Sequence, residues 1–255
     1  MMIFLLFLCF SLIGHVSAQT SEACPTYDAS KIKMVTFDCF AALMAWEDSM
    51  MKNIAEIMPE LSDSEVSDLM YAWEYAYGKA ADTIFDEGLT GQFPFSWHIS
   101  TQLNAIAPGL NLDISRSQFD LLVKSWGDLT PWPNTQETLE ILQNANITIA
   151  ALSNGDHKTL RSAMQIFKLP VVFTHVFPSD FPVGAFKPQK DIYLQALNVG
   201  YTQEEILHVA GGSTDASGAR AAGFFSALLH KESTDSPEPC FVLDDISGVP
   251  AILGL

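Results

Sequence analysis

The sequence predicts an α/β protein: a mostly parallel sheet covered by helices, with an all-helical insert after the first strand. Three observations carry this. The short apolar run Met34-Val35-Thr36-Phe37 leads straight into Asp38. Residues 45–130 then show helical patterning with no strand signal. From Pro131 onward, apolar β-branched runs alternate with helical segments, the pattern of a parallel sheet covered on both faces.

Residues 19 to 30 read as a polar lead-in. The strand before Asp38 is bounded like a buried one, and its carboxyl end is expected to open into a ligand crevice. Two readings of Asp38 stand open here: a carboxylate aimed outward from a rigid support, or a strand-end helix N-cap. Glu47 to Met58 has helical spacing, ended by Pro59. Ser62-Asp63-Ser64-Glu65 is a capping box opening a second helix through about Ala81. Its wide stripe of Leu69, Met70, Trp73, Tyr75 and Tyr77 implies packing on more than one face. Helices over Phe95 to Ala105 and Ser115 to Ser125 complete the insert. After Pro131-Trp132-Pro133, Asn134 caps a helix to about Ala145. Ile147 to Leu152 is a strand ending in Ser153-Asn154-Gly155, and a helix from His157 to Phe167 leads to a strand over Thr174 to Phe177. Lys187-Pro188 opens a helix through Leu197, and Thr202-Gln203-Glu204-Glu205 is a further capping box. The chain ends with a strand over Ile206 to Ala210, a Gly-rich loop, and a helix from Asp215 to Ala222. Strands over Phe224 to Leu229 and Phe241 to Leu243 and a closing helix follow.

The 255 residues, 48% hydrophobic and 17% charged, suit one substantial folded domain with an insert. A net charge of −17 repels polyanions, so nucleic acid is not an expected partner. Met1 to Ala18 resembles a signal peptide: the apolar run Met2 to Ile13 is short for a membrane span, and Val16-Ser17-Ala18 suits cleavage. The expected location is therefore secreted or lumenal, with no stable membrane anchor. Cys24, Cys39 and Cys240 remain after cleavage. With Cys39 in a buried segment, Cys24 and Cys240 form the plausible pair, and none of the three has metal-ligand spacing. Asn146-Ile147-Thr148 is a glycosylation sequon whose use is left open.

The chemistry gathers at strand ends: Asp38, Ser153-Asn154, Lys187, and Gly211 to Asp215. A parallel sheet brings these to one rim, where an ammonium can keep a nucleophilic carboxylate ionised. A solvated helix-start lysine is the plainer reading of Lys187. His98 beside Trp97 and His157 in a first helical turn are read as structural.

The order Phe-Asp-x-Phe, Leu-Ser-Asn-Gly, Phe-Lys-Pro with Tyr193 beyond, and Asp-Ala-Ser-Gly-Ala-Arg resembles the haloacid dehalogenase superfamily, nearest its type II 2-haloacid dehalogenase branch. The resemblance covers Lys33 to Leu255. It implies a Rossmann-like core over 31–44 and 131–255 and a helical cap over 45–130. It also implies Asp38 as nucleophile, Lys187 as its counter-ion, and Asp215 holding or activating the hydrolytic water. Ser153, Asn154, Phe40 and Tyr193 fall at substrate-binding positions, with Tyr193 supporting the network. Phosphatase members carry a second aspartate where Phe40 stands and hold magnesium with an acidic cluster whose earlier position here is Ala210. The resemblance therefore implies no metal and no cofactor. The sequence departs from the branch at Ala42, Ala210 and Gly212. No arginine lies on the second cap helix; Tyr71 and Lys79 are nearby, and Arg116 sits on a later helix. Substrate anion binding is accordingly thinned. The expected partner is a small-molecule substrate, with a homodimer left open. A magnesium-dependent phosphatase and a non-catalytic binding protein on the same scaffold are the alternatives.

Overall fold

The computed structural model describes residue 24 and residues 26–86, 94–229 and 235–255, with side chains of the long cap helix described through residue 81. The segment read as a signal peptide, residues 1–18, lies outside the described residues.

Among the described residues, six parallel strands form one sheet in the order β3-β2-β1-β4-β5-β6. They are β1 (Met34–Phe37), β2 (Thr148–Leu152), β3 (His175–Phe177), β4 (Ile206–Ala210), β5 (Phe225–Leu229) and β6 (Phe241–Leu243). All four residues of β1 are buried, as expected for a central strand covered on both faces. From β1 the chain builds outward through β2 and β3 on one side, then crosses to β4 through β6 on the other. Strand order thus reverses at β1, and the crevice beyond its carboxyl end is where such a sheet binds ligands.

Between β1 and β2 stand α1 (Trp46–Ile57), α2 (Asp63–Asp86), α3 (Phe95–Ile106) and α4 (Arg116–Ser125). Two of the four cap helices described start with reciprocal side-chain capping: Ser62 with Glu65 at α2 and Ser115 with Gln118 at α4. Trp73 accounts for the aromatic breadth of α2. It is fully buried, donates its indole N–H to the Ile99 carbonyl at 2.8 Å, and meets Trp126 edge-on. The core helices are α5 (Thr135–Asn144), α6 (His157–Met164), α7 (Lys190–Leu194), α8 (Ser213–Ala221) and α9 (Val249–Ile252).

The structure corrects two helix starts. Asn134 precedes α5 in a left-handed conformation (φ 65°) and makes no side-chain cap bond. Lys187-Pro188 does not open α7, because the Lys187 amide donates to Asn154 Oδ1 at 2.7 Å and the helix begins after Gln189. The Thr202–Glu205 box is present but caps only a single 3-10 turn, since β4 begins at Ile206.

Cys24 and Cys240 form a disulfide across 216 residues, and Cys39 remains a buried free thiol. The bridge ties the lead-in to β6. There Tyr27 packs edge-on against Phe225 and Phe241 and donates its hydroxyl to the Ile252 carbonyl at 2.7 Å. Closing so long a loop restricts the unfolded chain. Replacing both Cys24 and Cys240 by alanine is expected to cost about 3 to 5 kcal/mol in urea unfolding. An unchanged unfolding midpoint would contradict this.

Candidate active site

Asp38 follows β1, and its backbone N–H donates to the Val209 carbonyl at 2.9 Å, which anchors it to β4. Its side chain caps a single π-type turn, Cys39–Leu43, by accepting the Ala41 N–H on Oδ2 at 2.8 Å. The two sequence readings of Asp38 therefore coexist, because the capping carboxylate also lines the cavity beyond the carboxyl ends of the central strands. Gly211, just beyond β4, makes the turn's position attainable. A Cβ there would lie 2.3 Å from the carbonyl carbon of Ala41.

The second oxygen of Asp38, Oδ1, accepts the Ser153 hydroxyl at 3.1 Å and the Lys187 ammonium at 2.9 Å. The same ammonium donates to Asp215 Oδ2 at 2.7 Å. Lys187 is not a solvated helix-start residue: its side chain is 7% exposed, and each carboxylate side chain 12%. Burial works against the Lys187 charge, yet Asp215 and Asp38 outweigh it and raise the pKa above the usual lysine value.

Asp215, in the first turn of α8, receives two more donors. Tyr193 gives its hydroxyl to Oδ1 at 2.8 Å, and His208 Nε2 lies 3.0 and 3.1 Å from the two oxygens. Burial alone would favour the neutral acid, but His208 and Lys187 hold this carboxyl well below the usual carboxylate range. An ionised carboxylate only accepts, so Nε2 carries the proton of this contact. The other ring nitrogen of His208 lies 2.9 Å from the Thr36 hydroxyl. Thr36 and His208 are register partners on β1 and β4. Burial, then the neighbouring Asp38 charge, push the Cys39 thiol up, so it stays protonated and is no nucleophile.

Above Asp38 is a cavity of about 360 Å³ between core and cap. Asp38, Asn154, Lys187 and Asp215 line it from the core, and Phe40 faces it while stacked on Phe95 at 5.0 Å. Ser153 and Tyr193, expected at substrate-binding positions, do not line it. Both are fully buried, and their hydroxyls hold Asp38 and Asp215 from behind. Asn154 lines the cavity and also fixes the Lys187 backbone. Tyr71 and Lys79 do not line it, and Lys79 sits 5.7 Å over the Tyr75 ring. Arg116 pairs with Asp120 and borders a separate open groove of about 700 Å³ between α3, α4 and α6, away from the strand-end residues. His98 is buried in the cap against Trp97 and Phe186, and His157 is exposed at the start of α6.

Sequence reasoning missed His208, Thr36 and Glu74. The first two carried a signal, since each is a polar residue inside an otherwise apolar buried strand. Glu74 lines the cavity from α2 one turn before Tyr77 and Gly78. Nothing in its spacing separates it from an ordinary solvated helix position.

Residues 51–223 match the family model of haloacid dehalogenase-like hydrolases. The chain belongs to this family. Within it the chain is related to the (S)-2-haloacid dehalogenases of the type II branch. It is 23% identical to (S)-2-haloacid dehalogenase 4A of Burkholderia cepacia over 79% of this chain and 84% of that protein. It is 25% identical to (S)-2-haloacid dehalogenase of Pseudomonas putida over 72% and 87%. The L-2-haloacid dehalogenase of Xanthobacter autotrophicus, solved with chloropropionic acid covalently bound, superposes with a TM-score of 0.76 at 20% identity. That match covers 88% of this chain and 98% of the other.

Some haloacid dehalogenase-like hydrolases are magnesium-bound, and the donors present here fit that ion poorly. Magnesium requires several hard oxygen ligands in octahedral array. Asp38 and Asp215 instead spend their oxygens on Lys187, Ser153, His208, Tyr193 and the Ala41 amide. Among the described residues no group of three or more acidic, histidine or cysteine side chains is arranged to hold a metal.

Removing the shared cation leaves two buried carboxylates facing each other. Lys187→Met is therefore expected to cost about 3 kcal/mol in urea unfolding near neutral pH. A loss below about 1 kcal/mol would show that the bridge is not structural. Asp215 gives a pH test. Its folded pKa is depressed, so its stabilisation is complete above the ordinary value of 3.8 and is lost as pH falls through the folded value. The stability gap between wild type and Asp215→Asn should hold steady down to about pH 5 and narrow below about pH 4. A gap that does not change with pH would refute the assignment.

Proposed function

We propose a metal-independent hydrolase of the 2-haloacid dehalogenase type. Asp38 displaces halide from the saturated carbon of a 2-haloalkanoic acid or related organohalide, and water cleaves the resulting aspartyl ester. The observation that carries this reading is the Lys187 ammonium bridging Asp38 and Asp215 at the floor of the cavity. The bridge sets an ammonium, rather than a divalent ion, against the nucleophile's oxygen. The covalent chloropropionate adduct of the Xanthobacter autotrophicus relative supports it.

The chemistry follows from the residues in place. A carboxylate oxygen of Asp38 attacks the carbon in line and the carbon–halogen bond breaks, with the bonding pair leaving on halide. Halide needs no proton, so Phe40 in place of an acid is no handicap. Water then adds to the Asp38 carboxyl carbon. The Ser153 hydroxyl and Lys187 sit on Oδ1 and the Ala41 N–H on Oδ2, so whichever oxygen bears the alkyl group, the other develops its negative charge beside a donor. One water proton passes to Asp215, which borders the same cavity, and the other goes to the alkoxide as the C–O bond to the carboxyl carbon breaks, so the alcohol leaves and the carboxylate is restored. Three donors hold Asp215 ionised and make it a weak base.

We also propose a secreted or lumenal location. The Cys24–Cys240 disulfide supports it, because such bridges persist in oxidising compartments.

Halide release from 2-halopropionate and other organohalides should be abolished by Asp38→Asn and unaffected by a chelator. Protein quenched during turnover should carry the substrate's added mass on the Asp38 peptide, and Asp215→Asn should prolong that adduct. If no organohalide ever adds mass at Asp38, the nucleophile assignment fails. Chelator-sensitive phosphate release would move the protein to the phosphatase side of the family.

A further inference from the structure

We infer that the Tyr77 hydroxyl, reaching down from the cap, holds the carboxylate of the substrate by a hydrogen bond from an uncharged donor. This deepens the proposed function: it takes the substrate class from that reading and adds the residue that binds it.

The wall of the cavity over Asp38 contains two donors that nothing in the protein uses. Tyr77 enters it from α2, and Trp126 from the end of α4. The Tyr77 hydroxyl and the Trp126 indole N–H are both buried, and neither meets a hydrogen-bond partner. Leaving a buried donor unpaired destabilises a fold, and that cost is removed when a ligand brings an acceptor. The occupant this wall suits is therefore one that presents acceptor oxygens to the cap.

Of the two, the Tyr77 hydroxyl is the one shown to lie near the nucleophile, because it feels both the Asn154 side chain and the Asp38 charge. Asn154 does not take its proton. The amide's Oδ1 accepts the Lys187 backbone N–H at 2.7 Å, which turns its NH2 group to the phenol. An NH2 group can donate to a phenol oxygen but accepts nothing, so the phenol proton stays unspent. Burial most of all, with the Asp38 charge in addition, raises the Tyr77 pKa, and Asn154 alone lowers it, as a donor to the phenol oxygen does. Tyr77 therefore remains protonated and a donor throughout the working pH range.

In a 2-haloalkanoic acid the carboxylate is one bond away from the carbon that Asp38 attacks. It must be held in the same small volume as the nucleophile. Phe40 and Phe95, stacked there at 5.0 Å, can donate nothing to it, and the Ser153 hydroxyl is already spent on Asp38. No arginine stands among the described lining residues, and the Lys187 ammonium is shared between Asp38 and Asp215. That leaves the phenol as the cap's donor to the carboxylate, and hydrogen bonds to an ionised acceptor are stronger than those between neutral groups.

The test uses two unreactive probes, isobutyrate, in which a methyl group replaces the halogen of 2-halopropionate, and the neutral alcohol isobutanol. Both are titrated calorimetrically into the full protein and into Tyr77→Phe, which removes only the hydroxyl. A hydrogen bond from a buried donor to a carboxylate corresponds to about tenfold in affinity. Tyr77→Phe should therefore weaken isobutyrate about tenfold and change isobutanol less than about twofold. Failure of the wild type to bind isobutyrate overturns the inference, as does a loss below about threefold in a folded Tyr77→Phe or an equal loss for both probes. If the variant instead weakens bromide and spares isobutyrate, the hydroxyl serves the departing halide and the inference also fails.

The probes carry no leaving group, so the two readings fail separately. A protein that binds isobutyrate through Tyr77 yet never forms an Asp38 adduct loses the nucleophile reading and keeps this one. A protein that dehalogenates while Tyr77→Phe leaves isobutyrate affinity unchanged does the reverse.

Discussion

A single ammonium between two carboxylates is the contact on which the site depends. Lys187 reaches Asp38 and Asp215 from a loop between β3 and α7, while the carboxylates stand at the ends of β1 and, through α8, β4. Three separate parts of the chain therefore meet in one nearly dry contact. Without the cation two buried carboxylates would face each other with no counter-charge between them. A charge buried this way is costly unless every remaining donor and acceptor is engaged. Ser153, Tyr193, His208 and the Ala41 amide engage oxygens of the two carboxylates, and Thr36 backs His208.

The parallel sheet makes this arrangement possible. Strand order reverses beside β1, so neighbouring strands lead their loops away from each other and leave a crevice there. The floor of that crevice is rigid because β1 is buried on both faces. Gly211 lets the loop after β4 touch the backbone of the turn that Asp38 caps. The cap adds shape and charge above the floor, with Phe40 and Phe95 stacked where core and cap meet. Asp156 latches the two parts from the core side by accepting the Ser96 amide at the start of α3 at 2.8 Å. The groups proposed for the reaction thus stand on the core, and the cap supplies the facing wall of the cavity.

Much of this was legible in the residue order. Short-range patterns, apolar runs of strand length and capping boxes, located β1, β2, β4, β6 and the cap helices to within a residue or two at most ends, because those elements follow from periodicity and local hydrogen bonding. Asp38, Lys187 and Asp215 were legible as candidates because each ends or follows a strand of a parallel sheet. The disulfide pairing was legible because Cys39 sits in a buried segment.

What local patterning could not reach were the contacts made between distant strands and across the cap. Ser153 and Tyr193 look like substrate contacts in the residue order, yet the fold turns both behind the carboxylates they steady. His208 acquires its place only when β4 pairs with β1 and sets it opposite Thr36. Glu74 becomes part of a binding wall only once α2 crosses the crevice. Strand register and helix docking are collective outcomes of burying a whole core. The chain's own order sets which chemical groups are available, and the packing of remote segments sets which of them touch.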